Sequence, residues 1–299
     1  MENLTHTLSG LVVANAFFRR RLGPEAAPIL AVASNLPDID VLVHLTADPL
    51  AIASRRTFGH SLILLPVWTL ILAWLFKRRY PQHSLPRLFG LCAVGGALHL
   101  LFDLINSFGV VLLWPLSLWR PELAIVFIID LILTGLLLMP WALARFLERR
   151  QRAFQLSAVL AASYLLFCFA NRALAQRLLA RQSRSPDFSY VFPEPLGPHR
   201  WRGVLRHGER YSLFLIRTLS GEIEPRGELI THLSDAGVKR ARDSERGRRL
   251  EAFFKAPVWQ AGLRPEVSVY DLRFRSLLIR RASFEFFFPP QASAGSVPP

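Results

Sequence analysis

The chain has 299 residues, of which 52% are hydrophobic, and a formal net charge of +14 from 36 Lys and Arg against 22 Asp and Glu. Only 19% of the residues are charged and the others form long uncharged runs, which excludes a disordered tail protein and disfavours an ordinary soluble enzyme. The two cysteines, Cys92 and Cys168, lie in apolar runs, so the sequence offers neither a disulfide framework nor a cysteine-based zinc site.

Two short apolar stretches occupy the first forty residues, at 3–18 and 26–37. Each is shorter than the roughly 20 residues that a transmembrane helix needs. Three arginines at 19–21, followed by Gly23 and Pro24, separate the two stretches. We therefore expect a short helical hairpin that packs on a larger bundle.

Four longer runs with few or no charged residues follow, at 57–76, 86–105, 122–144 and 153–171. Their lengths are close to what crosses a hydrocarbon core of about 30 Å. The pattern predicts an α-helical membrane protein, a helical bundle with four clear transmembrane helices plus the N-terminal hairpin.

The composition changes from about residue 185, where short apolar and charged stretches alternate between Pro and Gly turns. This pattern predicts a smaller soluble C-terminal domain that is α+β or mainly β. We assign residues 1–184 to the membrane-embedded domain, 185–288 to the C-terminal domain and 289–299 to a disordered tail.

Basic residues gather in three short connections, at 19–21, 77–79 and 145–152. The positive-inside rule places such connections in the cytoplasm. If the hairpin arms and the four runs cross the membrane in turn, all three connections fall on one side, and the C-terminal domain falls on the other. Several ionisable residues then lie near that outer side: His6, Asp38, Asp40, His60, His99 and Asp103, with Asp130 in the same layer.

Ionisable side chains are costly in membrane segments, so a cluster of them is a hypothesis of function by default. His99 and Asp103 are four residues apart and therefore share one face of a helix. Imidazoles and carboxylates without thiols suit a borderline or hard divalent ion, most naturally Zn²⁺, with Mn²⁺ or Fe²⁺ as alternatives. The sequence therefore predicts a metal site near the membrane boundary.

Several short motifs occur together in this order: residues 4–10 (LTHTLSG), 37–40 (PDID), 56–61 (RTFGHS), 99–103 (HLLFD), 114–115 (WP) and 128–130 (IID). Over roughly residues 1–145, the chain resembles the YdjM-like family of bacterial inner-membrane proteins, regarded as membrane-bound metal-dependent hydrolases. That family in turn is distantly similar to zinc-dependent phospholipase C. The resemblance implies a bacterial inner-membrane protein. Together with the positive-inside rule, this predicts that the site and the C-terminal domain lie on the periplasmic side.

The resemblance also implies roles for single residues. It makes the metal ligands His6, one or both of Asp38 and Asp40, His60, His99 and Asp103. Asp38 and Asp40 would also take part in catalysis, Asp130 would be a ligand or a supporting acid, and Arg56 would meet a phosphate. Gly59 departs from the family pattern, because many members have Thr at this place.

The expected function is hydrolysis of a phosphoester in a lipid or lipid-linked substrate by a metal-activated water. The alternative is a non-catalytic membrane protein whose metal site is structural or sensory. Transport is disfavoured because the acids gather at one end of the helices. Nucleic acid is not an expected partner, because the basic run at 239–249 also contains acids, as a solvated helix does.

Overall fold

The computed structural model describes residues 2–45, 50–147, 150–195, 197–262, 266–276 and 284–289. Apart from residue 289, the predicted tail lies outside the described residues. The chain divides into two compact units. The first comprises Met1–Ala173 and Pro195–His199, and the second comprises Leu174–Glu194 and Arg200–Pro299.

The first unit begins with two helices that pack closely side by side. The chain reverses at Gly23, whose φ of 80° favours glycine. A Cβ at Gly10 would lie 2.6 Å from the carbonyl oxygen of Leu30, so only glycine permits this approach. The elements are α1 (Asn3–Val13), a π-helical turn (Ala14–Phe18), α2 (Arg19–Leu22) and α3 (Ala26–Ala33).

Irregular structure separates this helical pair from the long helices. Two 3-10 helices at Leu36–Leu45 and Ala51–Ser54 lead into turns that end before Leu65. The described elements that follow are α4 (Leu65–Arg79), α5 (Leu85–Leu104), α6 (Leu131–Leu143) and α7 (Arg150–Ala180).

The connection between α5 and α6, residues 105–130, is largely irregular and crosses the turns before α4. Its backbone donates from Val111 N to Arg56 O at 2.9 Å and accepts from Leu62 N at Leu112 O at 2.9 Å. These hydrogen bonds fasten the connection over the segment that carries Arg56 and His60.

The predicted count of four transmembrane helices is wrong. Among the described residues, two helices are long and apolar enough to cross a membrane, α5 with 20 residues and α7 with 31. The predicted runs at 86–105 and 153–171 fall on these two helices. Helices α4 and α6 have 15 and 13 residues and are too short by the same criterion.

Hydrogen bonds of two aspartates explain why the other two runs do not form long helices. The Asp40 carboxylate accepts from Thr57 N and Gly59 N, which holds the start of the 57–76 run as a turn. Asp130 is the N-cap of α6 and accepts from Leu133 N at 2.8 Å, so the 122–144 run becomes helical only after Asp130. Absence of charge therefore does not locate the start of a helix.

The second unit is built on two antiparallel sheets. One has the strand order β1-β2-β3-β4 and the other β5-β6-β7. Trp201 is fully buried on the first sheet and packs with Leu178 and Leu179 from the end of α7. The strands and helices are β1 (Phe188–Pro193), β2 (Arg200–His207), β3 (Arg210–Arg217), β4 (Glu222–Ile230), α8 (Ala236–Asp243), α9 (Glu245–Phe253), β5 (Pro257–Ala261), β6 (Val267–Asp271) and β7 (Glu285–Phe288).

Candidate metal centre

Four side chains from three parts of the chain meet near the C-terminal end of α5. Asp38 comes from the first 3-10 helix, His60 from the turn before α4, and His99 and Asp103 from α5 itself. One ligand atom of each lies within 4.8 Å of those of the other three. His60, His99 and Asp103 are buried, whereas the side chain of Asp38 is 18% exposed.

The ligand atoms have the spacing of a metal coordination shell. The Nε2 atoms of His60 and His99 are 3.0 Å apart, and Asp103 Oδ2 lies 3.0 and 3.5 Å from them, respectively. Asp38 Oδ1 lies 3.9 and 3.8 Å from the same two nitrogens. Ligand atoms of a tetrahedral zinc ion, with bonds of 2.0–2.1 Å, are about 3.3 Å apart. The donor set therefore fits one divalent ion.

The bonds on the far side of each imidazole favour the tautomer that a metal requires. His99 Nδ1 lies 2.8 Å from the carbonyl oxygen of Ser34, and His60 Nδ1 lies 2.9 Å from Asp40 Oδ2. Both oxygens accept hydrogen bonds, so a proton on each Nδ1 would satisfy them and leave each Nε2 free to bind a metal ion. Two lone pairs at 3.0 Å repel one another unless a proton or a cation lies between them.

Asp40 fixes the turn that carries His60. Its Oδ2 accepts from Thr57 N and its Oδ1 from Gly59 N, both at 2.6 Å. A Cβ on Gly59 would lie 2.2 Å from Pro37 O, so the turn in this chain requires glycine. The structure thus places Asp40 behind His60, in the supporting position that carboxylates take around metal-binding histidines.

Asp103 is the centre of the buried polar network. Its Oδ2 faces both Nε2 atoms and also lies 2.8 Å from Arg56 Nε, while its Oδ1 lies 3.3 Å from His6 Nε2. A single carboxylate therefore connects α1, the turn before α4 and α5.

His6 is fully buried on α1 and stacks on His99, with ring centroids 3.8 Å apart. Its Nδ1 has no hydrogen-bond partner among the described residues, and its Nε2 faces Asp103 Oδ1 at 3.3 Å outside hydrogen-bond geometry. Burial lowers the pKa of His6 to about 4, although Asp103 opposes this effect. The ring is therefore neutral near pH 7, and it lies on the Oδ1 side of Asp103, outside the four-atom cluster.

Arg56 brings a guanidinium group to the edge of the centre. Its Nη1 donates to Asn106 Oδ1 at 3.0 Å, and its guanidinium carbon lies 4.6 Å from the centroid of the Phe108 ring. The backbone of Arg56 has a φ of 56°, which is uncommon outside glycine. Arg120 supports this conformation, because its Nη2 donates to the carbonyl oxygens of Ala53 and Arg55 at 2.9 and 3.0 Å.

The Asp130 carboxylate accepts hydrogen bonds from its own helix, α6, and from α7. Its Oδ1 accepts from Leu133 N and its Oδ2 accepts from the Tyr164 hydroxyl, both at 2.8 Å. The predicted residue Asp130 therefore lies outside the cluster that the other acids form.

Sequence reasoning missed the groups that support the cluster. Ser34 acts through its backbone carbonyl, so its side chain gave no signal. Asn106, which binds Arg56, is a polar residue in the uncharged stretch after α5, and that contrast is a usable signal. Tyr164 lies in an apolar run and shows no pattern that would link it to Asp130.

Comparison with known proteins identifies the family of the N-terminal part of the chain. The family model of the YdjM inner membrane protein matches residues 1–175. The chain is also similar to the uncharacterized protein YfhP of Bacillus subtilis (strain 168), with 27% identity over 124 residues. This match covers 39% of the chain and 38% of YfhP, so it spans well under half of that relative.

No solved structure matches the chain. The distant similarity to zinc-dependent phospholipase C is not shown by these comparisons. The resemblance to the YdjM-like family is confirmed, because the matched residues make up more than half of the chain. The chain belongs to the YdjM inner membrane protein family.

Proposed function

We propose that this inner-membrane protein is a metal-dependent hydrolase that cleaves a phosphoester of a lipid or lipid-linked substrate. The observation that carries the proposal is the convergence of His60 Nε2, His99 Nε2, Asp38 and Asp103 within 4.8 Å. Two imidazole nitrogens 3.0 Å apart, flanked by two carboxylates, form an arrangement that a shared cation would stabilise.

Zinc is the ion that we propose, because two imidazoles and two carboxylates at this spacing match its usual ligands. The same ligands also bind Mn²⁺ or Fe²⁺, so elemental analysis has to identify the metal ion. When bound, such an ion would lower the pKa of a water molecule and polarise a phosphoryl oxygen.

The residues of the chain have separate tasks in this proposal. Asp40 and the Ser34 carbonyl hold the two imidazoles in the orientation that exposes Nε2 to the centre. Asp38 is the acid of the cluster that reaches solvent. We assign two roles to its carboxylate, metal ligand and proton-transfer group. Arg56 binds a phosphate oxygen, which suits a guanidinium at the edge of a metal centre.

Membrane attachment supports a lipid substrate. His99 and Asp103 lie in the last turns of α5, one of the two helices that can cross a membrane. The reacting centre therefore lies at the end of a membrane helix, where the head group of a lipid would be found.

We also propose that the centre faces the periplasm. Glu25, next to the arginines at 19–21, accepts from Gln82 next to the basic residues at 77–79, and Ala16 O accepts from Gln151 at 2.7 Å. These contacts bring the basic connections together, whereas His99 follows Leu85 by 14 residues, about 21 Å along α5. The positive-inside rule assigns the basic end to the cytoplasm.

A reporter fusion at residue 190 tests the orientation. We expect a reporter that requires the periplasm to be active there, with residues 1–184 as the hydrolase domain and 185–288 as a periplasmic domain. Activity of a cytoplasmic reporter at the same place would reverse the assignment of both the C-terminal domain and the side of the metal centre.

The central experiment measures metal and activity on the same purified protein. We expect stoichiometric zinc, manganese or iron in the wild type, and release of phosphate or head group from a panel of phospholipids. His99→Ala and Asp103→Asn should lose both properties, while the exposed acid Asp243→Asn should keep them.

The outcomes separate hydrolysis from the alternative. Metal that is present and lost in the two variants, without any metal-dependent hydrolysis by the wild type, would replace the enzyme with a structural or sensory site. Wild-type protein without stoichiometric metal would overturn the metal centre itself.

A further inference from the structure

The second unit contains a cavity of about 390 Å³ on the four-stranded sheet. It lies between residues of β2, β3 and β4 and the chain that follows β6. Its size is within the range of sites for small molecules. The residues that line it are Arg202, Leu213, Arg226, Gly227, Glu228, Leu229, Leu272, Arg275 and Ser276.

The charged lining of this cavity is mostly positive. Three of the lining residues are arginines and one is an acid, Glu228, which pairs with Arg210 at 3.3 Å. Arg226 pairs with Glu224 at 2.9 Å, outside the lining. Arg275 Nη1 donates to the neutral Tyr270 hydroxyl at 3.0 Å, and no carboxylate among the described residues forms an ion pair with Arg275.

Arg202 is the buried member of the set, with 2% of its surface exposed. Its Nη1 donates to the carbonyl oxygen of Arg275 and lies 3.7 Å from Glu194 Oε1, beyond hydrogen-bond distance. Its Nε has no hydrogen-bond partner among the described residues. Burial lowers the pKa of Arg202 to about 10, an effect that Glu194 opposes, so the side chain remains charged near pH 7.

A buried cation whose N–H group has no hydrogen-bond partner is energetically unfavourable, and an anion in the cavity would supply that partner. A guanidinium presents its N–H groups as a planar fork that matches the oxygens of phosphate. We propose that this cavity binds a small phosphate group, held by Arg202 and Arg275 with Arg226 at the rim. Its carrier is either free phosphate or the head group of an anionic lipid, since both present the same tetrahedral oxygens.

The test is a calorimetric titration of the full-length protein in detergent with inorganic phosphate. A chelator is present throughout, so that phosphate binding at the metal centre does not contribute and the two sites are tested separately. We expect saturable binding that Arg275→Gln weakens by about ten- to a hundredfold, the loss of a charge-assisted hydrogen bond. Arg240→Gln removes the same charge from an exposed position of α8 and should bind like the wild type.

Arg226→Gln provides a second variant, since the Arg226 side chain is 39% exposed and its loss does not endanger the fold. A parallel titration with a water-soluble short-chain phosphatidic acid identifies the carrier. Binding of the lipid analogue alone, with the same dependence on Arg275, assigns the cavity to lipid head groups. Absence of saturable binding for both probes, or binding that Arg275→Gln and Arg226→Gln leave unchanged, would overturn the proposal.

Discussion

The two units of this protein bury opposite kinds of polar group. In the first, His60, His99 and Asp103 bring two imidazoles and a carboxylate together, with the Nε2 atoms 3.0 Å apart. In the second, Arg202 carries a buried positive charge and a donor without a partner among the described residues. The difference underlies the two proposals, a cation at the cluster in the first unit and an anion at the cavity in the second.

The two units also differ in how far the family match covers them. The family match covers residues 1–175 and therefore the metal centre, whereas the arginine-lined cavity lies beyond it. The candidate metal centre lies within the family match, while the proposed phosphate site depends on the contacts of this chain alone.

The largest expected effect is a loss of stability in the second unit. Glu194→Gln leaves the buried Arg202 without its carboxylate, which should lower the free energy of unfolding by about 3–5 kcal/mol. Thermal unfolding in detergent measures the loss, and inorganic phosphate should raise the melting temperature of this variant more than that of the wild type. Glu224→Gln is the matched control, because the Glu224 side chain is 44% exposed and its ion pairs are worth at most about 1 kcal/mol. Equal losses in the two variants would contradict the burial argument.

In the first unit, the largest effect is expected from a substitution at Gly59. Gly59→Ala places a Cβ 2.2 Å from Pro37 O and 2.8 Å from Asp40 Oδ1, so the turn that carries His60 has to move. We expect a loss of about 1–3 kcal/mol in stability together with weaker metal binding. Gly135→Ala has no atom within 4 Å of its Cβ and should leave both the melting temperature and the metal content unchanged or slightly improved. Normal metal binding in Gly59→Ala would show that the turn does not position His60.

Asp40→Asn tests the support of His60 more finely. The amide cannot accept from Thr57 N, Gly59 N and His60 Nδ1 as the carboxylate does. Metal affinity, measured by competition with a chelator, should fall by about 10- to 100-fold. Asp187→Asn alters an exposed acid that accepts from Gly208 N at 2.6 Å, and its metal affinity should match that of the wild type. A full loss of metal in Asp40→Asn would instead make Asp40 a ligand.

The smallest effect is expected at Tyr164, which binds Asp130 outside the centre. Tyr164→Phe removes one hydrogen bond to Asp130 Oδ2 and should cost about 1 kcal/mol of stability. Metal content, measured by elemental analysis, should not change. A lower metal content would show that Asp130, at the start of α6, contributes to metal binding.

The sequence predicted the residues of the cluster better than the helices that hold them. His99 and Asp103 stand four apart in an apolar run, a spacing that places them on one helix face whatever the ends of the helix. Residues 57–60 and 122–130 gave no such information, because their irregular backbone is set by distant contacts such as Asp40 with Thr57 and Gly59. Hydropathy alone therefore overcounted the transmembrane helices.

The sequence also could not separate Asp38 from Asp40. Both acids belong to one PDID motif, yet Asp38 faces the histidines while Asp40 turns to the backbone of residues 57–59. The difference depends on a 3-10 helix whose register is set by tertiary hydrogen bonds, and no local pattern encodes it. The same limit applies to Ser34, which contributes a carbonyl that every residue type possesses.

The carboxylate of Asp103 faces groups that are synthesised at very different times. His6, Arg56 and His60 leave the ribosome well before Asp103, which lies near the end of α5. The candidate metal centre therefore cannot form until α5 has been made, so binding of an ion would be a late step of biogenesis.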